Sequence, residues 1–222
     1  MSRLALFDLD HTLLPIDSDY EWGRFLGSIG AVDAEVYEKS NLGFYEQYKA
    51  GTLVIEDFLA FSLAPLAAND AATLAGWHRR FMAEVVSPTI GEKARQLVES
   101  HRAHGDLCAI VTATNDFVTA PIAHAFGIEH LIATRCEIVD GRHTGRAAGV
   151  PNFREGKIQR TEAWLEGLAM RWTDFDETHF YSDSMNDLPL LERASHPVAT
   201  NPDPRLRALA TERGWRVLDL FQ

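Results

Sequence analysis

The feature that most constrains this chain is a short apolar run that ends on an acid. Leu4-Ala5-Leu6-Phe7 gives way at once to Asp8-Leu9-Asp10-His11-Thr12. Four consecutive core residues bounded in this way read as a strand buried on both faces, the texture of a parallel sheet covered by helices. Two later runs repeat the pattern. Ile110-Val111 leads into Thr112-Ala113-Thr114, and Phe180-Tyr181 leads into Ser182-Asp183-Ser184. Open α/β sheets bind ligands outside the carboxyl ends of their strands, so polar residues at three strand ends converge on one site.

The rest of the chain divides by texture. After Leu14-Pro15 the strand pattern stops, and residues 18 to 86 carry helical spacing such as Trp22, Phe25, Leu26 and Ile29. Gly51 and Leu66-Ala67-Ala68-Asn69-Asp70 supply breaks between helices. From Pro88 onward helix and strand alternate: helix 92–104, strand 107–112, helix 116–126, a hairpin about Asp140-Gly141 within 132–144, helix 155–170, strand 179–182, a helix near Leu188, strand 197–200, then a last helix and strand. The expected architecture is therefore α/β, a doubly wound, mostly parallel sheet from residues 1–15 and 88–222, with an α-helical cap of about four helices inserted at 16–87. Most cap aromatics (Trp22, Phe44, Tyr45, Tyr48, Phe58, Phe61, Trp77 and Phe81) are expected in its core, and the remainder in a pocket facing the sheet.

Composition narrows the partners. The 222 residues are 46% hydrophobic and 24% charged, which suits a core domain plus an insert. A net charge of −11 disfavours nucleic acid and anionic membranes, both of which call for a basic patch. Cys108 and Cys136 have no zinc-type spacing and read as buried or half-buried thiols. The first apolar run is interrupted by Asp8, so no secretory leader is expected, and no run approaches the roughly 18 apolar residues of a membrane span. A cytoplasmic location is expected.

Four segments in order, Asp8-x-Asp10-x-Thr12, the strand end at Thr112, Gly156-Lys157 at the start of a helix, and Ser182-Asp183-Ser184-Met185-Asn186-Asp187, resemble the motifs of the haloacid dehalogenase superfamily. The similarity is to its phosphoserine phosphatase-like branch, and it runs from about Ser2 to Phe221. It implies a Mg2+-dependent phosphomonoester hydrolase with a helical cap after the first motif. A physical reading of the same residues agrees. Asp8 would attack phosphorus and form an aspartyl-phosphate, while Asp10 protonates the leaving oxygen and then activates water. Mg2+ would be held by Asp8, Asp183 and the backbone carbonyl of Asp10. Thr112 would bond a phosphoryl oxygen and Lys157 would balance charge on Asp8. Asp187 would orient a metal-bound water, and Asn186 would reach toward substrate or the Asp8 loop.

Substrate residues are less constrained. The resemblance sets Asp17 in place of the family's head-group Glu, but the family's head-group arginine falls at Ala60, which argues against phosphoserine. Asp17, Ala113, Asn115 and Arg160 are the candidate substrate contacts, and Asp17 reads equally as the cap of the first inserted helix. Asp19, two residues on, is expected to face elsewhere. The expected small-molecule partner is an amino-alcohol or amino-acid phosphate, such as histidinol phosphate or phosphoserine, and the acids Asp17 and Asp19 suit the amino-alcohol better. A phosphomutase sharing the aspartyl-phosphate, or a non-catalytic phosphate-binding protein, are the alternatives. His101 and His104 have a metal-compatible spacing but read as a solvated helix end, and His11 as a loop residue beside the site.

Overall fold

Leu4, Ala5, Leu6 and Phe7 are fully buried because they form the central strand of a six-stranded sheet. The computed structural model describes residues 2–221. In chain order its first half comprises β1 (Arg3–Phe7), α1 (Ser18–Ser28), α2 (Ala34–Ala50), α3 (Ile55–Ser62), α4 (Ala64–Ala68), α5 (Ala71–Phe81), α6 (Glu92–Ala103), β2 (Leu107–Asn115) and α7 (Asp116–Ala125). There follow β3 (His130–Thr134), β4 (Cys136–Val139), β5 (Arg142–Ala147), α8 (Glu155–Gly167), β6 (Glu177–Ser182), α9 (Leu188–Arg193), β7 (His196–Thr200), α10 (Pro204–Arg213) and β8 (Arg216–Leu218).

The large sheet has the order β3-β2-β1-β6-β7-β8, and every neighbouring pair is parallel. Side chains alternate across it. Ala5 and Phe7 face a core shared with α1, α6 and α7, while Leu4 and Leu6 face one built from α8, α9 and α10. Helices on both faces make the fold doubly wound, as expected from the unbroken apolar runs. Register then builds the site. Phe7 pairs with both Ile110 and Tyr181, so Asp8 and Asp183 leave β1 and β6 within one residue of Thr112, which lies inside β2 because that strand runs on to Asn115 rather than ending at 112 as expected.

The inserted stretch differs in detail from the expected four helices. It holds five α-helices, followed by a π-helical turn over Met82–Val86 and a 3-10 turn over Ser87–Thr89. Gly51 ends α2 in the left-handed region at φ 72°, where a Cβ is disfavoured. Leu66 to Ala68 are helical after all, since Pro65 sits in the first turn of α4; the break is confined to Asn69-Asp70, where Asp70 caps α5. Trp22 and Phe81 are buried as expected, and Trp22 also packs edge-on against Phe117 of α7, so this core is continuous with that of the sheet.

Two other readings need correction. Ile132 belongs to β3, a parallel edge strand, and the hairpin begins only at Cys136. Asp140 and Gly141, at φ 50° and 75°, make its turn as read. His101 is not solvated. It completes the buried stripe Ala94, Val98, His101 of α6 and bonds Asp106 through Nδ1 and the Tyr181 hydroxyl through Nε2. His104 beside it is exposed. Both cysteines are free, Cys108 buried and Cys136 half-buried. Among the described residues no single helix is long and apolar enough to cross a membrane.

Candidate active site

Asp8 follows β1 directly, and its amide donates to the Tyr181 carbonyl at 2.9 Å, which sets the carboxylate above the strand ends. The residue is 5% exposed. Lys157 Nζ donates to Asp8 Oδ1 at 2.8 Å and bridges to Asp187, 2.7 Å from Oδ1 and 2.8 Å from Oδ2. Lys157 reaches this position from the first turn of α8, where Gly156 is required: a Cβ there would lie 2.2 Å from the Pro151 carbonyl oxygen. Burial alone would lower the Lys157 pKa, but the charges of Asp187 and Asp8 outweigh it and raise it. Asp187 accepts the Ser182 hydroxyl at 2.7 Å as well, and burial pushes its pKa up to about 6 against the pull of Lys157.

Asp183 joins Asp8 through a shared hydroxyl. Thr12 Oγ1 lies 3.1 Å from Asp8 Oδ2 and 3.3 Å from Asp183 Oδ1, and accepts the Asp183 amide at 3.1 Å. Burial, then the charges of Asp8 and Asp187, holds the Asp183 pKa well above the usual carboxylate range. Two carboxylates thus share one ammonium, and a third, Asp183, is joined to Asp8 through Thr12. A donor set of carboxylate oxygens with excess negative charge fits a hard divalent cation.

Asp10 is held differently, without a cation. Its Oδ1 accepts the Ser18 amide at 2.7 Å and its Oδ2 accepts the Thr114 hydroxyl at 2.8 Å. Burial and then Asp17 raise its pKa to about 6, suited to a group that both gives and takes a proton near neutrality. Thr112 is buried, and its Oγ1 accepts the Thr114 amide at 3.2 Å, so its own proton remains to donate to a ligand oxygen. The Thr112 carbonyl is fixed by Asn152 Nδ2 at 2.8 Å, which also reaches the Ile132 carbonyl at 2.6 Å.

Beyond Asp8 and Asp10 a pocket opens between the strand ends and the inserted helices. Asp17, Asp19, Tyr20, Asn41, Phe44, Tyr45, Tyr48, Phe58 and Phe153 line it with Thr112, Ala113 and Thr114. No lysine or arginine is among its lining residues. Asp17 sits at its wall and caps α1, accepting the amides of Asp19 and Tyr20 on one oxygen, which bears out the capping reading. Ala113 lines the pocket as proposed, and His11 lies beside it with Nε2 3.3 Å from the Tyr45 hydroxyl.

Three expectations change. Asn115 lies just behind the pocket wall, its Oδ1 capping α7 and its Nδ2 aimed at Asp19. Arg160 is outside the pocket and donates to the Val150 carbonyl at 3.2 Å. Asn186 reaches neither ligand space nor the Asp8 loop: its Nδ2 donates to the Tyr48 carbonyl at 3.1 Å, while Arg154 joins Asn186 Oδ1 to the Gly51 carbonyl, so the pair ties the end of α2 to the core. Thr12 and Thr114 stood in the motifs without an assigned role and Asn152 was not singled out; these three orient the acids and the Thr112 backbone. Thr114 was legible as a hydroxyl at the end of an apolar run and Thr12 as the last member of the acid motif; Asn152 carries no local signal.

Comparison with known proteins agrees with this geometry. A family model described as haloacid dehalogenase-like hydrolase matches residues 5–192. The histidinol-phosphatase of Neisseria meningitidis serogroup C is 46% identical over 220 residues, 99% of each chain. Phosphoserine phosphatase SerB1 of Mycobacterium tuberculosis is 34% identical, over 99% of this chain and 71% of that one. The crystal structure of a protein of unknown function from Bordetella pertussis Tohama I superposes with a TM-score of 0.95 at 53% identity, covering 100% of both chains.

Proposed function

The chain belongs to the haloacid dehalogenase-like hydrolase family and is one of its phosphatases, and on that premise we propose that it hydrolyses a small amino-alcohol phosphate, histidinol phosphate first among them. One observation carries the chemistry: of two acids two residues apart, Asp8 is ion-paired to Lys157, whereas the half-buried Asp10 has no cation and is held by the Ser18 amide and the Thr114 hydroxyl. Environments that differ in this way separate a nucleophile from an acid/base.

Asp8 attacks phosphorus in line, and the bond from phosphorus to the leaving oxygen breaks as Asp10 gives that oxygen its proton. Asp10, now ionised, takes a proton from water, whose oxygen displaces the Asp8 carboxylate and releases phosphate. Lys157 offsets charge on Asp8 and the transferring group, and Thr112 donates to a phosphoryl oxygen. A bound Mg2+, with Asp8, Asp183 and the Asp10 carbonyl as its protein ligands, would supply charge neutralisation of the phosphoryl oxygens. Residues 16–87 act as a lid that excludes water and contacts the leaving group, held to the core through Asn186 and Arg154.

The substrate class follows from the relative at 46% identity and from the pocket itself, which offers acids and aromatic rings but no cation to pair with a carboxylated leaving group. That disfavours phosphoserine. Its small-metabolite substrate suits a cytoplasmic enzyme. Phosphate release from histidinol phosphate, phosphoserine and p-nitrophenyl phosphate, with and without chelation, tests the reading. Histidinol phosphate should lead, and Mg2+ should restore chelated enzyme better than Ca2+, which favours more ligands and longer bonds. Faster release from phosphoserine, or full activity under chelation, would refute it.

A further inference from the structure

Asp19 is a buried acid for which the phosphoryl chemistry has no use. It is the second residue of α1 and is 8% exposed, and its side chain takes no part in capping that helix, since Asp17 accepts the amides of Asp19 and Tyr20, and Asp10 accepts that of Ser18. Its one hydrogen-bond partner among the described residues is Asn115 Nδ2, 3.4 Å from Oδ1. Asn115 is itself fixed, because its Oδ1 caps α7 through the Val118 amide. Among the described residues no lysine or arginine pairs with Asp19, and burial, then the charges of Asp17 and Asp10, hold its pKa well above the usual range. A carboxylate carried into a pocket without a cation costs free energy in the unliganded protein, and a cationic ligand would recover it.

The pocket's other features specify the ligand. Phosphate must enter beside Asp8, and the further acids Asp17 and Asp19 lining the pocket repel its dianion unless the rest of the molecule carries positive charge. Tyr20, Phe44, Tyr45 and Phe58 line the same pocket, and aromatic rings are surroundings in which organic cations bind well. We propose that Asp19, oriented by Asn115, is the group that receives the ammonium or imidazolium of the leaving group and so selects cationic phosphomonoesters. Asp17 remains the cap that delivers Asp19 to the wall. This assignment rests on the amino-alcohol phosphatase reading above but can fail separately from it.

The test is the ratio of kcat/KM for L-histidinol phosphate to that for glycerol 1-phosphate, a neutral-headed ester, in the parent and in Asp19→Asn, with Mg2+ present. The parent should favour the cationic ester, and the ratio should collapse ten- to hundredfold in the variant, mainly through KM of the cationic ester. A companion measurement needs no variant: L-histidinol, which lacks phosphate, should compete with p-nitrophenyl phosphate in the parent, and glycerol should not. An unchanged ratio in Asp19→Asn, or a parent indifferent to cationic heads, overturns the assignment while leaving the phosphatase intact. A parent that prefers another cationic ester over histidinol phosphate, with the same collapse in the variant, removes the substrate named above and upholds Asp19.

Discussion

Asp8 and Asp19 are buried carboxylates lining one pocket, yet they are settled in opposite ways. Asp8 lies 2.8 Å from an ammonium that Asp187 also holds, and Thr12 occupies its second oxygen. Asp19 has an amide at 3.4 Å and no cation. The first arrangement is complete before substrate arrives, as a nucleophile requires if no reorganisation is to accompany attack. The second is incomplete, and the missing part is a cation. On the proposed reading the sheet supplies chemistry, and the inserted helices supply the demand for a particular leaving group.

The contrast breaks first if Asp8 is not the nucleophile. Asp8→Asn keeps the volume and the contact with Thr12 but removes the attacking carboxylate, and kcat should fall by about 10^3 or more. Steady-state kinetics with fold confirmed by circular dichroism checks this, and turnover near the parent level would end the aspartyl-phosphate account. At the same end, Lys157→Met leaves Asp8 and Asp187 buried without their shared cation. Breaking a buried ion pair from one side costs about 3 to 5 kcal/mol, to be read from urea unfolding. A loss below about 1 kcal/mol would mean that the network is not charge-balanced as described.

A smaller change probes the acid/base. Thr114→Val removes the hydroxyl that orients Asp10 Oδ2. Loss of one hydrogen bond to an ionisable group should lower kcat about tenfold for alkyl esters, whose alkoxides need a proton. It should matter less for p-nitrophenyl phosphate. Equal losses on both substrates would make Thr114 a packing residue.

The two ends also differed in how far the sequence revealed them. Asp8, Thr112, Lys157 and Asp183 stand at strand ends or a helix start beside unbroken apolar runs, where periodicity and chain direction place side chains at one edge. The pocket wall offered no such rule. Asp19 was expected to face away from Asp17 because residues two apart on a helix diverge. Asp17, however, is the cap, at φ −89° and ψ 111°, and so stands outside the helix. Asp19 lies in the first turn, where side chains tilt toward the helix start, which returns it to the same wall. Arg160 failed for the converse reason: the start of α8 was clear, but which face of it meets the pocket depends on packing against β2 and β3. His101 could have been found, since it extends the spacing of Ala94 and Val98.

The uncompensated state of Asp19 is tested most directly by the unfolding free energy of Asp19→Asn against the parent between pH 4 and pH 8. Burial raises the folded pKa of Asp19 above its ordinary 3.8, so the folded state keeps a proton that the unfolded chain releases. The parent therefore has this group's full contribution below about pH 3.8 and loses it as pH rises through the folded pKa. The variant, with no charge to bury, should match the parent near pH 4 and exceed it by about 1 kcal/mol at neutral pH, as an asparagine replacing an acid kept for binding should. A variant less stable than the parent at neutral pH would show that Asp19 is already satisfied within the protein, and the cation-seeking pocket would be contradicted.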